Sequence, residues 1–233
     1  MICFFIALGV FLGSHLMSSC RSFFINLVGE KIYLVFYSIV SIGTLWWLFF
    51  TAIEASSDYI LWQKSTWAYW VPNVTMPFVF ILFVLGINTP NPLSILCKRC
   101  PFDQNNPSGI IAITRHPILW AMFIWSLSHI FPNGSLSLVI TFSVFALFSL
   151  MGMKLVDLRL QKSLGKDAWI ELSKNTSIFP FAALIHSHRC VRWNENDFYS
   201  VIVGLGLYYG SLHLHQYFFD VNPFHLIESC FYG

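Results

Sequence analysis

The sequence predicts an all-α fold, a polytopic bundle of five to six transmembrane helices with a short cytoplasmic amphipathic helix after the fifth span. Composition is the first reason: 56% of the 233 residues are hydrophobic and 10% are charged, whereas soluble domains carry about 25% charged residues. The second is a mean hydropathy of +0.65. A net charge of +2 is too small for nucleic-acid binding. These values exclude soluble enzymes, disordered regulators and nucleic-acid-binding proteins.

The apolar residues are grouped into runs, which is the third reason for a membrane fold. A helix needs about 20 such residues to cross a hydrocarbon core of about 30 Å. The predicted spans are residues 2–18, 32–53, 74–87, 117–131, 136–153 and 198–219. We expect one integral membrane domain over residues 1–233, with its core motifs in residues 1–181.

The basic residues predict the orientation of the bundle in the lipid bilayer. If the spans alternate in direction, twelve of the thirteen Lys and Arg residues fall on one side, and only Lys64 falls on the other. Basic loops are typical of the cytoplasmic side. The N-terminus is therefore expected outside and the basic loops in the cytoplasm.

Cys97 and Cys100 form a single C-x-x-C pair. A structural zinc site needs four ligands and usually a second pair. The sequence assigns this pair no role.

Five of the eight histidines lie in or at the ends of apolar segments, and ionisable residues at such places are often functional. They are His15, His116, His129, His213 and His215. Each could simply hydrogen-bond a neighbouring helix. As a group they favour a bound cofactor, because two neutral imidazoles from facing helices can ligate a haem iron.

Thr114-Arg115-His116-Pro117 is the most distinctive local motif. Proline is favourable at the first position of a helix, where its missing N–H costs nothing. The amides before it, with Arg115 and His116, predict a cationic pocket for a carboxylate, a phosphate or a haem propionate. Arg115 could instead be only a positive-inside anchor. Asp157 is expected to pair with Arg115 or another cation.

The amphipathic helix is predicted from apolar positions that follow the fifth span. We expect this helix to lie on the membrane surface beside the Thr114–Pro117 motif and to end before Pro180. Its apolar positions are Leu158, Leu164, Ala168 and Leu172.

These motifs together resemble the NnrU family, which is named from denitrification gene clusters and includes the plant 15-cis-zeta-carotene isomerase. The resemblance covers nearly the whole chain in order and spacing. Its motifs are Leu12-Gly13-Ser14-His15, Gly29-Glu30, Gly109-Ile110-Ile111, Thr114-Arg115-His116-Pro117, Trp125 to His129, Asn133-Gly134, Gly152-Met153-Lys154, Asp157, Leu164-Gly165, Thr176 to Phe181 and Leu214-His215.

The resemblance implies a bacterial inner-membrane protein that binds haem b with His15 and His129 as axial metal ligands. It implies either redox-gated cis–trans isomerisation of an apolar, carotenoid-like polyene or a supporting role in nitrogen-oxide respiration beside a redox membrane partner. The plant pattern has a cysteine three residues before the second ligand. Ser126 stands there in this chain, so this position supplies no thiolate ligand.

The depth of each histidine in the membrane predicts haem-ligand pairs other than His15 with His129. The fourth span rises about 1.5 Å per residue, so His129 lies about 20 Å from His116 along it. Depth alone would pair His15 with His116, or His129 with a sixth-span histidine such as His215. His116 and His215 are therefore alternative metal or cofactor ligands.

Residues 109–181 also resemble membrane methyltransferases of the isoprenylcysteine carboxyl methyltransferase type. There the Arg-His-Pro segment helps to bind S-adenosylmethionine. This resemblance implies a cofactor site at Arg115, His116 and Asp157, with Trp169 replacing a tyrosine. A third interpretation is a non-enzymatic assembly factor for a respiratory complex.

Overall fold

The computed structural model describes residues 1–16, 21–94, 107, 109–187 and 190–223. The described residues are mainly helical, with one isolated β-bridge between Ile60 and Ser135, so the all-α fold class is confirmed. The helices are α1 (Ile2–Leu16), α2 (Arg21–Val28), α3 (Glu30–Glu54), α4 (Thr66–Asn88), α5 (Ile110–Ile113), α6 (Pro117–Ile130), α7 (Leu136–Leu164), α8 (Lys166–Ser173), α9 (Ala182–Ser187) and α10 (Glu195–Phe219).

Three of these helices are long and apolar enough to cross a membrane. They are α3 with the 3-10 turn that follows it, α4 and α7, which contain 28, 23 and 29 residues. Helices α1 and α6 are apolar but shorter, with 15 and 14 residues. A membrane protein is therefore supported, and the full count of five to six spans stays a prediction.

Helix α4 begins well before position 74, where the sequence placed it. It contains Pro72 and Pro77, and proline in a helix leaves the carbonyl four residues earlier without its usual donor. For Pro77 that carbonyl belongs to Asn73, and the Tyr208 hydroxyl of α10 donates to it at 3.1 Å. A neighbouring helix thus supplies the missing hydrogen bond, which lets α4 continue through the proline.

The amphipathic helix predicted after the fifth span is only partly correct. Helix α7 runs unbroken to Leu164, so Leu158 and Leu164 belong to α7. Gly165, with a φ of 85°, separates α7 from α8. Helix α8 ends at Ser173, well before Pro180. Its buried residue is Trp169, and the predicted apolar position Ala168 is exposed.

The chain divides into two compact units. The first contains residues 1–64 and 133–144, and in it α1 packs against α3. The packed face of α1 presents Phe4, Ala7 and Phe11, which are all buried. The Ser137 hydroxyl donates to the Ala52 carbonyl at 2.7 Å and ties the start of α7 to α3.

The second unit contains residues 65–132 and 145–233, and in it α4 packs against both α6 and α10. Glycines permit the close approach. A Cβ added at Gly86 would lie 2.7 Å from Cγ1 of Ile118, and one at Gly204 would lie 2.9 Å from the Cα of Ile81. Small residues at such crossings are typical of helices packed in a membrane.

Candidate functional site

The start of α6 carries a charged cluster that we call the Asp157 cluster, formed by Arg115, His116 and Asp157. Pro117 takes the first helical position, as predicted, and His116 is the N-cap residue. Nε2 of His116 lies 2.8 Å from Oδ1 of Asp157. Nη1 of Arg115 lies 3.4 Å from Oδ2 of the same carboxylate. The expected pairing of Asp157 with Arg115 is therefore confirmed.

The Asp157 cluster is largely shielded from solvent. The His116 side chain is only 1% exposed, and those of Arg115 and Asp157 are 12% and 14% exposed. Burial lowers the pKa of the Arg115 guanidinium, and the Asp157 carboxylate opposes this change. The Trp169 ring lies under the guanidinium at 5.4 Å, a cation–π distance. Nε of Arg115 is buried and has no hydrogen-bond partner.

Residues 176–181, which we call the strap, are hydrogen-bonded to the segment that leads into α6. The strap lies beside the Asp157 cluster because Arg115 binds it through both backbone and side chain. The bonds run from Arg115 N to Ser177 O (2.9 Å), Arg115 Nη2 to Thr176 O (3.0 Å), Thr114 Oγ1 to Ile178 O (2.8 Å), Trp120 Nε1 to Ile178 O (2.8 Å) and Phe181 N to Ile113 O (2.9 Å).

The donors of the predicted cationic pocket are largely occupied by the strap and by neighbouring groups. The Arg115 amide is bonded to the strap, and the His116 amide donates to the Thr114 hydroxyl at 3.3 Å. An anion at this place would compete with these partners and with Asp157 for Arg115. Nε of Arg115 is the donor that remains to be satisfied. An anion-binding role stays a prediction.

Asn91 supports the same segment and was missed by the sequence reasoning. Its Nδ2 donates to the Arg115 carbonyl at 2.8 Å, and its Oδ1 accepts from the Leu93 amide at 2.9 Å. The Pro90-Asn91-Pro92 sequence is a turn signal. That signal predicts a turn but not its contact with Arg115.

His15 ends the packed face of α1, four residues after Phe11. Its Nδ1 lies 2.9 Å from the Phe11 carbonyl and 3.3 Å from the Ser14 hydroxyl. The Phe11 ring lies 4.3 Å from the imidazole between centroids, and the Tyr37 ring lies 6.4 Å away. Two aromatic rings thus lie near the imidazole.

His129 has a matching environment at the end of α6. Its Nδ1 lies 2.8 Å from the Trp125 carbonyl and 3.2 Å from the Ser128 hydroxyl, and the Trp125 ring lies 5.5 Å away. A bond to a carbonyl requires a proton on Nδ1, so the neutral imidazole carries its lone pair on Nε2. Such a bond is the usual support for a metal-ligating histidine.

Other histidines show which part of this pattern is distinctive. Exposed His186 also bonds a carbonyl four residues back, at 2.7 Å, so that bond alone is common in helices. His213 is exposed and packs on Tyr209 at 4.5 Å. His15 and His129 share three features: the hydrogen bond from Nδ1 to a carbonyl, a serine immediately before the histidine, and an aromatic residue four positions earlier.

His215 is the histidine that the structure brings towards His129. The two are close enough to interact electrostatically. Nδ1 of His215 bonds the Val221 carbonyl at 3.1 Å, beyond the end of its helix. His116 lies at the other end of α6. The depth argument therefore correctly separated His116 from His129.

Among the described ranges, no three His, Cys, Asp or Glu side chains converge as they do in a protein metal cage. A haem iron with two axial histidines does not need such a cluster. Cys97 and Cys100 lie outside the residues that the structure describes.

Comparison with known proteins identifies relatives. Residues 3–223 match the family model described as NnrU protein. The chain is 27% identical over 198 residues to the chloroplastic 15-cis-zeta-carotene isomerase of Arabidopsis thaliana, covering 81% of this chain and 51% of that protein. It is 31% identical over 172 residues to the isomerase of the same name from Zea mays, covering 72% and 46%.

The chain thus spans about half the length of these curated relatives. No solved structure matches it. The family model covers nearly the whole chain, including both histidine motifs and the Asp157 cluster. The chain therefore belongs to the NnrU family.

Proposed function

We propose that this protein binds haem b in a membrane through His15 and His129 and catalyses redox-gated cis–trans isomerisation of an apolar polyene. The matching environments of the two histidines carry the proposal. In both, Nδ1 bonds a carbonyl of the same helix, so the neutral imidazole keeps its lone pair on Nε2. The family membership and the names of the two relatives support the choice of reaction.

The chain's own groups would orient the ligands and exclude water. Phe11 and Trp125 pack against the two imidazoles, and the Nδ1 bonds fix their tautomers and limit their rotation. When bound, haem would be held by His15 and His129 and would supply a redox-active iron that could act as a Lewis acid on a double bond. The apolar helices suit an apolar substrate better than a charged one.

The alternative iron ligands, His215 and His116, differ in which existing interactions iron binding would break. His215 interacts electrostatically with His129, so this pair is the first alternative. Nε2 of His116 is already held by Asp157 at 2.8 Å, so coordination there would break a buried hydrogen bond. Arg115 and His116 become propionate-binding candidates if the iron lies near the start of α6.

Absorption spectroscopy tests the haem proposal. The protein, expressed with ample haem and purified in detergent, should show a Soret band. His15→Ala and His129→Ala should each shift or abolish the band, because each removes one axial nitrogen. His186→Ala is the matched control, since it removes the same type of helix bond at an exposed position, and its spectrum should be unchanged.

Three outcomes would overturn the assignment. A colourless protein after expression with ample haem would exclude haem binding. A normal spectrum in His129→Ala, with a changed one in His116→Ala, would move the iron to the start of α6. A changed spectrum in both His129→Ala and His215→Ala, with an unchanged spectrum in His15→Ala, would replace His15 by His215 as the partner of His129.

We also propose a bacterial inner-membrane location, five to six spans and cytoplasmic basic loops. The support is the distribution of basic residues, twelve of which fall on one side of the predicted spans. Reporter fusions test the orientation. A fusion after Lys174 should report a cytoplasmic position and one after Lys64 a periplasmic position. The opposite pattern would invert the topology.

A methyltransferase function is the second candidate. The observation that favours it is the assembly of Arg115, His116, Asp157 and Trp169 in one place. Calorimetric titration with S-adenosylmethionine tests it: binding by a colourless protein, lost in His116→Ala, would favour this reaction over haem chemistry.

A third function is support for nitrogen-oxide respiration, as a redox partner or as a non-enzymatic assembly factor. Family membership supports it. Deleting the gene in a denitrifying host should slow growth on nitrate if this proposal is correct. Normal growth would exclude it.

A further inference from the structure

The end of the hydrocarbon layer can be located along α7. Residues 136–153 of this helix carry no charged side chain, whereas Lys154, Asp157, Arg159 and Lys162 follow within three turns. Charged side chains are costly in hydrocarbon and collect at its boundary. For a spanning α7, the boundary therefore lies near Lys154 and Asp157.

The strap lies at the same level as this boundary. Asp157 is paired with Arg115 at 3.4 Å, and Arg115 holds the strap through bonds of 2.9 and 3.0 Å to Ser177 and Thr176. Short direct bonds thus connect the charged part of α7 with the strap. The exposed side chains of the strap therefore lie at the membrane boundary.

The strap and the helix after it display large apolar side chains that the protein does not cover. Phe179, Phe181 and Ile185 are 69%, 53% and 69% exposed. Phe181 has a φ of 66°, a left-handed conformation that is unfavourable for a residue with a β-carbon. The Phe181 amide is fixed on the Ile113 carbonyl. The backbone therefore holds the ring outward in a strained conformation.

The surroundings of these residues favour lipid as the occupant. Exposed cations lie in the neighbouring segments at Lys166 and Arg192, whereas Lys174 is paired with the Glu171 carboxylate. Trp193 and Tyr199 are exposed where α10 begins, 44% and 66%, and these residue types are enriched at membrane–water interfaces. Apolar rings beside cations match the boundary between acyl chains and anionic headgroups.

We propose that the strap and α9 insert Phe179, Phe181 and Ile185 into the headgroup–acyl boundary of an anionic bilayer. This lipid contact anchors the strap, and through it Arg115 and the Asp157 cluster, at the membrane surface. The proposal does not depend on haem. It replaces the interfacial helix predicted from Leu158 to Leu172 with the strap that follows it.

Photocrosslinking in lipid nanodiscs tests the contact. The full-length protein is reconstituted in phosphatidylglycerol and phosphatidylethanolamine, with Phe179 or Phe181 replaced by p-benzoylphenylalanine. Irradiation should give lipid adducts, detected by mass spectrometry, at both positions. The same replacement at Asp167, an exposed position on α8, is the control and should give none.

A crosslink from position 179 or 181 to another protein in place of lipid would overturn the proposal. So would equal lipid labelling at position 167. If a variant does not give a monodisperse peak in detergent, the unmodified protein is oxidised by hydroxyl radicals in the nanodisc. Phe179 and Phe181 should then be protected relative to Tyr59, which is 61% exposed between α3 and α4, and equal oxidation would contradict the lipid contact.

Discussion

The two ends of α6 each carry a histidine, but they hold it in different ways. At the start, His116 is buried against the Asp157 carboxylate, which also neutralises Arg115. At the end, His129 bonds the Trp125 carbonyl of its own helix and the preceding Ser128 hydroxyl. At the start, the histidine contacts a carboxylate from a distant part of the chain, whereas at the end groups of the same helix turn orient the imidazole.

This difference assigns the two ends of α6 different roles: the start stabilises the fold, and the end prepares a histidine to bind a metal. A buried ion pair is costly to break because the remaining charge stays without compensation. A local bond to Nδ1 costs little to lose, but it prepares Nε2 to bind a metal. We therefore expect substitutions at the start of α6 to change unfolding, and substitutions at its end to change the spectrum.

Asp157→Ala is expected to have the largest effect. It leaves Arg115 buried without its counter-charge and His116 without its hydrogen-bond partner, and it should lower the free energy of unfolding by about 3–5 kcal/mol. Chemical denaturation in detergent measures the change. Asp167→Ala, at an exposed site on α8, is the control. Equal stability of the two variants would show that the Asp157 cluster does not hold the start of α6.

Gly86→Ala should destabilise the same end through packing. The added Cβ would lie 2.7 Å from Cγ1 of Ile118 and 3.2 Å from its backbone nitrogen. Overpacking of this kind costs about 1–3 kcal/mol. Gly43→Ala is the comparison, because a Cβ there meets nothing within 4 Å. If the two variants unfold alike, α4 and α6 do not approach as closely as described.

Thr114→Val tests the strap. The Thr114 hydroxyl donates to the Ile178 carbonyl and accepts from the His116 amide, so its loss should cost about 1 kcal/mol or somewhat more. Thr75→Val removes a hydroxyl whose bonds stay within α4 and should cost less. A larger loss in Thr75→Val would contradict the stapling role of Thr114.

His129→Ala should have the smallest effect on the unfolding of the haem-free protein, about 1 kcal/mol, because it removes hydrogen bonds but leaves no buried charge without its counter-charge. The same variant should lose the Soret band of the haem-loaded protein. A large loss of stability without haem, comparable to that of Asp157→Ala, would remove the contrast between the two ends of α6.

The sequence predicted the helical class and the start of α6 because these follow from local signals. Hydropathy marks α3, α4 and α7, and Pro117 marks the first helical position. The pairing of Asp157 with Arg115 was also predicted, since both lie near the ends of predicted spans that share one side of the membrane. When a membrane restricts the topology, the positions of charged residues predict which distant parts of the sequence lie close together.

Other contacts could not be predicted because their donors and acceptors are backbone groups. The strap binds through the carbonyls of Thr176, Ser177 and Ile178, and every residue type has such a carbonyl. The early start of α4 was missed because proline usually indicates a helix end. The hydrogen bond from Tyr208, which lies on a distant helix, explains how α4 continues through Pro77.

The bond from Tyr208 to the Asn73 carbonyl has a consequence for the order of assembly. A chain is synthesised from its N-terminus, so α4 enters the membrane before α10 exists. Until then, Pro77 leaves that carbonyl without its helical donor in a medium that offers no water. The last long helix therefore completes an earlier one, and truncation before α10 should leave α4 poorly inserted and open to proteolysis, although its own sequence is intact.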